Sequence, residues 1–272
     1  MRNNRLRLVV SGAMGRMGQA LVRHVADDEG CELVGAVERP DHPELGRDIG
    51  QLALCRPLAV SLEHDLRNAL IGAQAVIDFS APEASARHAD LAAQAGVALV
   101  VGTTGLHDEQ KARIRAAAEK TRVVLAPNMS VGVNLLFYLA RRAAETIGAD
   151  TDIEIVETHH RLKVDAPSGT ALRLAEVVGE ALAVDDLAER LEHGRQGRVG
   201  PRADGRIGMH AVRGGDIVGR HDLHFFGPGE ELCLTHAATS RDNFVRGAIR
   251  AAHWLQKQPP GLYDMGDVLG LK

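Results

Sequence analysis

Apolar residues follow two rhythms along the first half of the chain. Largely apolar runs rich in β-branched residues occupy Leu6–Val10, Leu33–Val37, Ala75–Phe79, Val97–Val101 and Val123–Ala126, broken only by Arg7 and Asp78. Between several of them, apolar positions return every three or four residues, over Gln19–Ala26, Glu83–Ala95 and Asp108–Lys120. A run apolar at every position suits a strand buried on both faces, and the 3.6-residue period suits a helix with one covered side. Alternation of the two predicts a parallel sheet with helices on both faces. The connection from Val37 to Ala75 is longer and less regular, so its crossover is the least defined.

Past Asn128 the pattern changes. Val131–Ile147 reads as a helix, Asp152–Glu157 as a strand and Ala171–Ala183 as another helix. The glycine- and arginine-rich stretch Gly194–Gly208 is expected to be a mobile loop. Strand-like runs follow at Met209–Val212, Ile217–Phe226 and Glu231–Ala237, separated by Arg213-Gly214-Gly215-Asp216 and Gly227-Pro228-Gly229. Strands in succession with turns between them predict an antiparallel or mixed sheet. A last helix runs from Ser240 to about Trp254 and stops before Pro259-Pro260-Gly261. A domain junction is expected near Asn128–Ser130.

The first strand meets the first helix through Gly12-Ala13-Met14-Gly15-Arg16-Met17-Gly18. Gly12 suits a tight turn, Gly15 the close approach of a pyrophosphate, and Gly18 the packing of helix on sheet. The spacing is G-x-x-G-x-x-G, with Met14 where a glycine is usual. Glu38 closes the second apolar run, where a carboxylate accepts hydrogen bonds from ribose hydroxyls, and Arg39 beside it can neutralise a 2′-phosphate. Both charges together point to tolerance of either NADH or NADPH. Gly102-Thr103-Thr104 and Ala126-Pro127-Asn128-Met129 follow two further strands, on the edge where open α/β sheets bind ligands. The first half is therefore read as a Rossmann-type nucleotide-binding domain in an α/β protein, with an α+β domain after it.

Composition narrows the function. The 272 residues are 45% hydrophobic and 25% charged, with a formal net charge of −4, which argues against nucleic acid or an anionic membrane as partner. Only 3% are aromatic, too few for base-stacking platforms. No segment is long and apolar enough for a signal peptide or a membrane span, and Cys31, Cys55 and Cys233 have no metal-ligand or redox spacing, so a cytoplasmic protein without metal is expected.

Of the 32 basic residues only five are lysines, and one of them, Lys163, lies four positions after His159 and three after His160. Lysine can release a proton where arginine cannot, and histidine titrates near neutrality. Pro167 then discourages helix at Ala166, and Ser168 or Thr170 can cap the helix that follows. A helix start offers open N–H groups to an anion, and Gly169 allows close approach. The segment reads as a place where protons move and a carboxylate is held. Arg241 is a further candidate for a second carboxylate.

Three stretches resemble the bacterial dihydrodipicolinate reductase family: Gly12–Gly18, Glu154–Thr170 with its His-His and Lys-Val-Asp-Ala-Pro-Ser-Gly-Thr, and Arg213–Gly219. Asn128–Asn134 at the junction extends the likeness nearly end to end. The resemblance implies reduction of a small dicarboxylate, 4-hydroxy-tetrahydrodipicolinate or dihydrodipicolinate, by NADH or NADPH in lysine and diaminopimelate biosynthesis. It implies His159 and Lys163 as catalytic residues and His160, Ser168, Gly169 and Thr170 as substrate contacts. It also implies a cytoplasmic homotetramer whose residues 1–129 bind the dinucleotide, whose residues 130–240 bind substrate and oligomerise, and whose residues 241–272 return to the first domain. Two other readings stay open: another two-domain dehydrogenase, acting on aspartate or its semialdehyde, and a non-enzymatic dinucleotide sensor.

Overall fold

A computed structural model of the chain describes residues 5–272. They form two compact units, one running up to Ser130 and resuming over Asp242–Lys272, the other Val131–Arg241.

The first unit alternates strand and helix: β1 (Leu6–Ser11), α1 (Arg16–Asp27), β2 (Cys31–Val37), α2 (Ile49–Leu52), β3 (Leu62–Glu63), α3 (Leu66–Ala69), β4 (Ala75–Asp78), α4 (Pro82–Ala95), β5 (Ala98–Val101), α5 (Asp108–Ala118) and β6 (Arg122–Leu125). Its sheet is parallel throughout, in the order β12-β6-β5-β4-β1-β2-β3, where β12 (Gly261–Tyr263) comes from the returning tail. The strand centres are apolar on both sides because each face has its own helices, while polar residues such as Arg7, Glu32, Asp78 and Arg122 sit toward the strand ends. Leu8, Val10, Ile77, Val100 and Val124 face α1 and the late helix α9 (Asp242–Leu255), while Val9, Val76, Leu99, Val101 and Val123 face α3, α4 and α5. The order in which strands are added reverses between β1 and β4, which leaves a crevice beyond their carboxyl ends. The ill-defined crossover after Val37 resolves into elements of only two to four residues, two of them capped by Asp48 and Asp65.

The second unit contains α6 (Val131–Ile147), β7 (Asp152–His159), α7 (Gly169–Ala181), α8 (Leu187–Arg190), β8 (Leu191–His193), β9 (Ile207–Arg213), β10 (Gly219–Gly227) and β11 (Glu230–Ala238). Its sheet, ordered β11-β10-β7-β9-β8, is mixed: β7 pairs parallel with β9 and antiparallel with β10. The strands before and after Arg213–Asp216 are therefore not a hairpin, since β7 lies between them. Ile153, Ile155, Ile207, Met209, Leu223 and Phe225 pack against α6 and α7 through Leu136, Ala140, Leu174 and Val178. On the opposite face Glu154 binds Arg195, Arg202 and His210 at 2.8, 2.9 and 2.6 Å. Burial opposes its ionisation, yet these partners prevail and lower its pKa to about 2. Arg195 and Arg202 thereby tether to β7 the Gly194–Gly208 stretch expected as a mobile loop, whose last two residues already belong to β9. A Cβ at residue 208 would overlap the Glu154 carboxylate and displace it from these partners.

The tail then forms α9 (Asp242–Leu255), β12 (Gly261–Tyr263) and α10 (Met265–Leu269). Val245, Ala248, Ala251 and Ala252 of α9 enter the core of the first unit. At Gly247 the helix comes so close to the Met129 carbonyl that any Cβ would overlap it.

Candidate active site

In the first unit a cleft of ≈ 780 Å³ opens beyond β1, β2 and β4, and Gly12, Gly15, Glu38, Arg39, Ser80 and His88 line it. Gly12 takes φ of 72° and both its N–H and that of Ala13 donate to the Val37 carbonyl, at 2.9 and 3.1 Å. A Cβ at Gly12 would overlap the Phe79 carbonyl, and one at Gly18 the Gly12 carbonyl. The glycine at 12 thus meets both a positive φ and a close approach. Helix α1 begins after Gly15 with no side-chain cap, leaving its first amides without a partner from the cap residue. The Glu38 carboxylate accepts from Met14 N at 3.0 Å and from Arg39 N at 3.1 Å, so it braces the turn from the edge of the cleft.

Behind this cleft lies a polar network that the sequence pattern does not disclose. Asp78 ends β4 with no exposed surface. It accepts from Ser80 Oγ at 2.6 Å, pairs with His88 Nδ1 at 2.7 Å, and meets Ser85 Oγ and Thr103 Oγ1 at 3.2 and 3.4 Å. Burial raises its pKa, but His88 and Ser80 lower it further than burial raises it. The network fixes the β4–α4 and β5–α5 connections against each other, through Ser80 N to Thr103 Oγ1 at 3.1 Å.

In the second unit β7 carries Glu157 and His159, and His160 follows its last residue. Glu157 is fully buried, and its carboxylate accepts from Arg213 Nη2 and Nη1 at 2.7 and 2.8 Å and from Ser168 N at 3.0 Å. His159 Nδ1 lies 2.6 Å from Glu157 Oε2. Burial opposes ionisation of Glu157, but Arg213 and His159 together hold the carboxyl below its ordinary value. An ionised Glu157 only accepts, so it sets Nδ1 as the protonated nitrogen and leaves Nε2 for exchange. A Cβ at Gly219 would come within 2.9 Å of that Nε2. The His221 ring meets the His159 ring edge-on at 5.2 Å, and its Nε2 lies 3.0 Å from Ser168 Oγ. Burial, with the neighbouring His159 charge, lowers His221 to about 4, so it is neutral at physiological pH.

Ser168 is buried and is the N-cap of α7, its Oγ accepting from Ala171 N at 3.2 Å. Its polar groups are thus engaged within the protein. Gly169 is exposed, and a Cβ there would meet nothing within 4 Å. Lys163 Nζ donates to both Asp165 carboxylate oxygens at 2.7 Å, and Arg213 reaches the Asp165 carbonyl at 2.7 Å. His160 is half-buried and its N–H donates to Ile217 O at 2.8 Å. Of the remaining candidates, Ala13, Thr103, Ala126 and Met129 are buried, so a ligand meets the apolar ones only through backbone. Met14, Met17 and Asn128 are half-buried, and Arg16, Thr104, Pro127 and Arg241 are exposed. Glu157, Arg213 and His221 were missed as site residues. The signal for Arg213 lay in its place at the head of Arg213–Gly219, one of the stretches that carry the family likeness, and strand register places it opposite His159.

Among the described residues no helix is long and apolar enough to cross a membrane. Residues 6–129 match the family described as dihydrodipicolinate reductase, N-terminus, and residues 132–269 match its C-terminus. A 4-hydroxy-tetrahydrodipicolinate reductase of Anaeromyxobacter sp. is 55% identical over 97% of this chain and 98% of its own length. One of Ruegeria pomeroyi is 51% identical over 97% and 98%. The dipicolinate-bound dihydrodipicolinate reductase of Paenisporosarcina sp. TG-14 superposes with a TM-score of 0.78 at 26% identity, covering 96% of this chain and 97% of that one. An amine dehydrogenase of Mycobacterium smegmatis, at 14% identity, shares the fold with a TM-score of 0.60 over 94% of each chain.

Proposed function

The chain belongs to the dihydrodipicolinate reductase family along both halves, and on that premise we propose that His159 and Lys163 handle the protons of the reaction. The protein is an oxidoreductase of lysine and diaminopimelate biosynthesis that uses NADH or NADPH. It reduces 4-hydroxy-tetrahydrodipicolinate, or dihydrodipicolinate, to tetrahydrodipicolinate.

The glycine turn, the uncapped start of α1 and Glu38 with Arg39 fit a dinucleotide: amides for the pyrophosphate, a carboxylate for the ribose and a cation for a 2′-phosphate. Gly102–Thr104 and Ala126–Met129, beyond β5 and β6, complete the proposed set. When bound, the nicotinamide supplies a hydride to the conjugated ring. The enamine left behind needs a proton on the neighbouring carbon. The observation that carries the assignment of that proton is the buried Glu157, clamped by Arg213 and bonded to His159 Nδ1. It orients the imidazole so that Nε2 can deliver a proton and later recover one. Lys163 supplies positive charge and a second transferable proton, with Asp165 holding its ammonium in place. Substrate carboxylate is held by the start of α7 at Gly169 and Thr170 and by His160, with Ser168 shaping that start from within rather than touching the anion. A coupled assay with freshly prepared pathway intermediate, run with each cofactor, tests the reaction. Absence of intermediate-dependent oxidation of both NADH and NADPH would overturn it.

The cytoplasm as location, and a homotetramer formed through the second unit, complete the proposal. Phe226 and Val212 are exposed on the sheet face opposite α6 and α7 and offer apolar surface to a second copy. Sedimentation at low concentration checks the assembly, a monomer counting against it.

A further inference from the structure

We propose that Asp28, Cys31 and His253 form a binding site for a zinc-type divalent cation, at the amino-terminal edge of the nucleotide unit's sheet. Their ligand atoms all lie within 4.8 Å of one another. Cys31 Sγ is 3.3 Å from His253 Nε2 and 3.6 Å from Asp28 Oδ2. Bond lengths of about 2.3 Å to sulfur and about 2.1 Å to nitrogen or oxygen, at tetrahedral angles, place such pairs about 3.6 Å apart. Both sulfur pairs already have nearly that spacing. Thiolate, imidazole and carboxylate together are the donor set a borderline-soft cation selects.

The surroundings suit an ion. Asp28 Oδ1 accepts from Gly30 N at 2.8 Å, which orients the carboxylate and leaves Oδ2 directed at Cys31. Cys31 is buried, whereas Asp28 and His253 are exposed on the rim of an open cleft of ≈ 810 Å³. An ion can therefore enter and keep a water as its fourth ligand. Residues 31 and 253 are 222 positions apart, so sequence spacing cannot reveal the set. Cys31 opens β2 at the end opposite Glu38, and His253 lies in the last turn of α9. The cation would pin the returning helix to the sheet without entering the chemistry.

Titration of the metal-free protein with Co²⁺ tests this. One equivalent should produce thiolate-to-cobalt charge-transfer absorption, which Zn²⁺ in excess abolishes. A second cluster, His224, Glu231 and Cys233, makes a control necessary. The absorption should persist in Cys233→Ser and vanish in Cys31→Ser. His253→Gln and Asp28→Asn, at exposed positions, should each weaken cobalt at least about tenfold while turnover stays at the wild-type value. No charge-transfer band, a band that survives Cys31→Ser or disappears in Cys233→Ser, or unchanged affinity in both exposed variants would each overturn the site.

Discussion

Glu157 has two jobs that a single substitution separates. It satisfies Arg213 inside the second unit, and it selects the tautomer of His159. Glu157→Gln keeps the shape, but its amide can donate toward Nδ1 and reverse that tautomer. We expect kcat to fall by roughly 10²–10⁴ with cofactor KM little changed. Steady-state kinetics decide, and a loss under threefold would remove Glu157 from orienting the acid. Lys163→Arg keeps the charge but cannot give up a proton. It should lose most turnover while binding cofactor normally, and near-wild-type rates would take Lys163 out of the chemical step. Glu38→Ala should weaken NADH more than NADPH, and Arg39→Ala the reverse; equal effects in binding titrations would contradict their assignment. His221 makes a stability prediction. Its folded pKa is about 4, against an ordinary 6.5, so its contribution is complete above 6.5 and is lost as pH falls toward 4. The loss is on the order of 3 kcal/mol, because only the unfolded chain takes up the proton in that window. Denaturant unfolding of His221→Gln should show a flatter acid limb than wild type; an equally steep one would acquit this residue.

Legibility differed among the elements for physical reasons. The five long apolar runs of the first half correspond to β1, β2, β4, β5 and β6, because strands covered on both faces show no competing polar period. Elements of two to five residues, such as β3, β12 and α10, are too short to display any period, and their sheet partners supply the order. The mixed sheet was foreseen, but not that β7 lies between β9 and β10, since pairing order depends on contacts remote in sequence. The same holds at the site. His159 and Lys163 announce themselves within five residues, whereas Asp78 with His88 and Glu157 with Arg213 come together only in the fold. Helix α9 carries an element-scale test at Gly247. A methyl group there overlaps the Met129 carbonyl, so Gly247→Ala should destabilise by about 1–3 kcal/mol, despite alanine's better helix propensity. A calorimetric melting point unchanged or raised would show that α9 does not dock so closely.

At the scale of the molecule, the nucleotide unit is assembled from two separate stretches of chain. Residues 5–130 supply six strands of its sheet, but Val245, Ala248, Ala251, Ala252 and Leu255 of the tail cover one face and β12 supplies an edge. Removing everything after Arg241 should therefore leave that face bare and cost cofactor binding. Circular dichroism with a dye for exposed apolar surface would show it, and a truncated chain that still binds NADH with wild-type affinity would refute it.

That divided construction sets an order of events at the ribosome. Residues 131–241 are contiguous and can close on their own sheet as soon as β11 emerges, although they are made second. The earlier 130 residues must wait with an uncovered sheet face until residues 242–272 have been synthesised. A nascent chain halted before α9 is thus expected to offer a chaperone its most apolar surface in the half that was translated first.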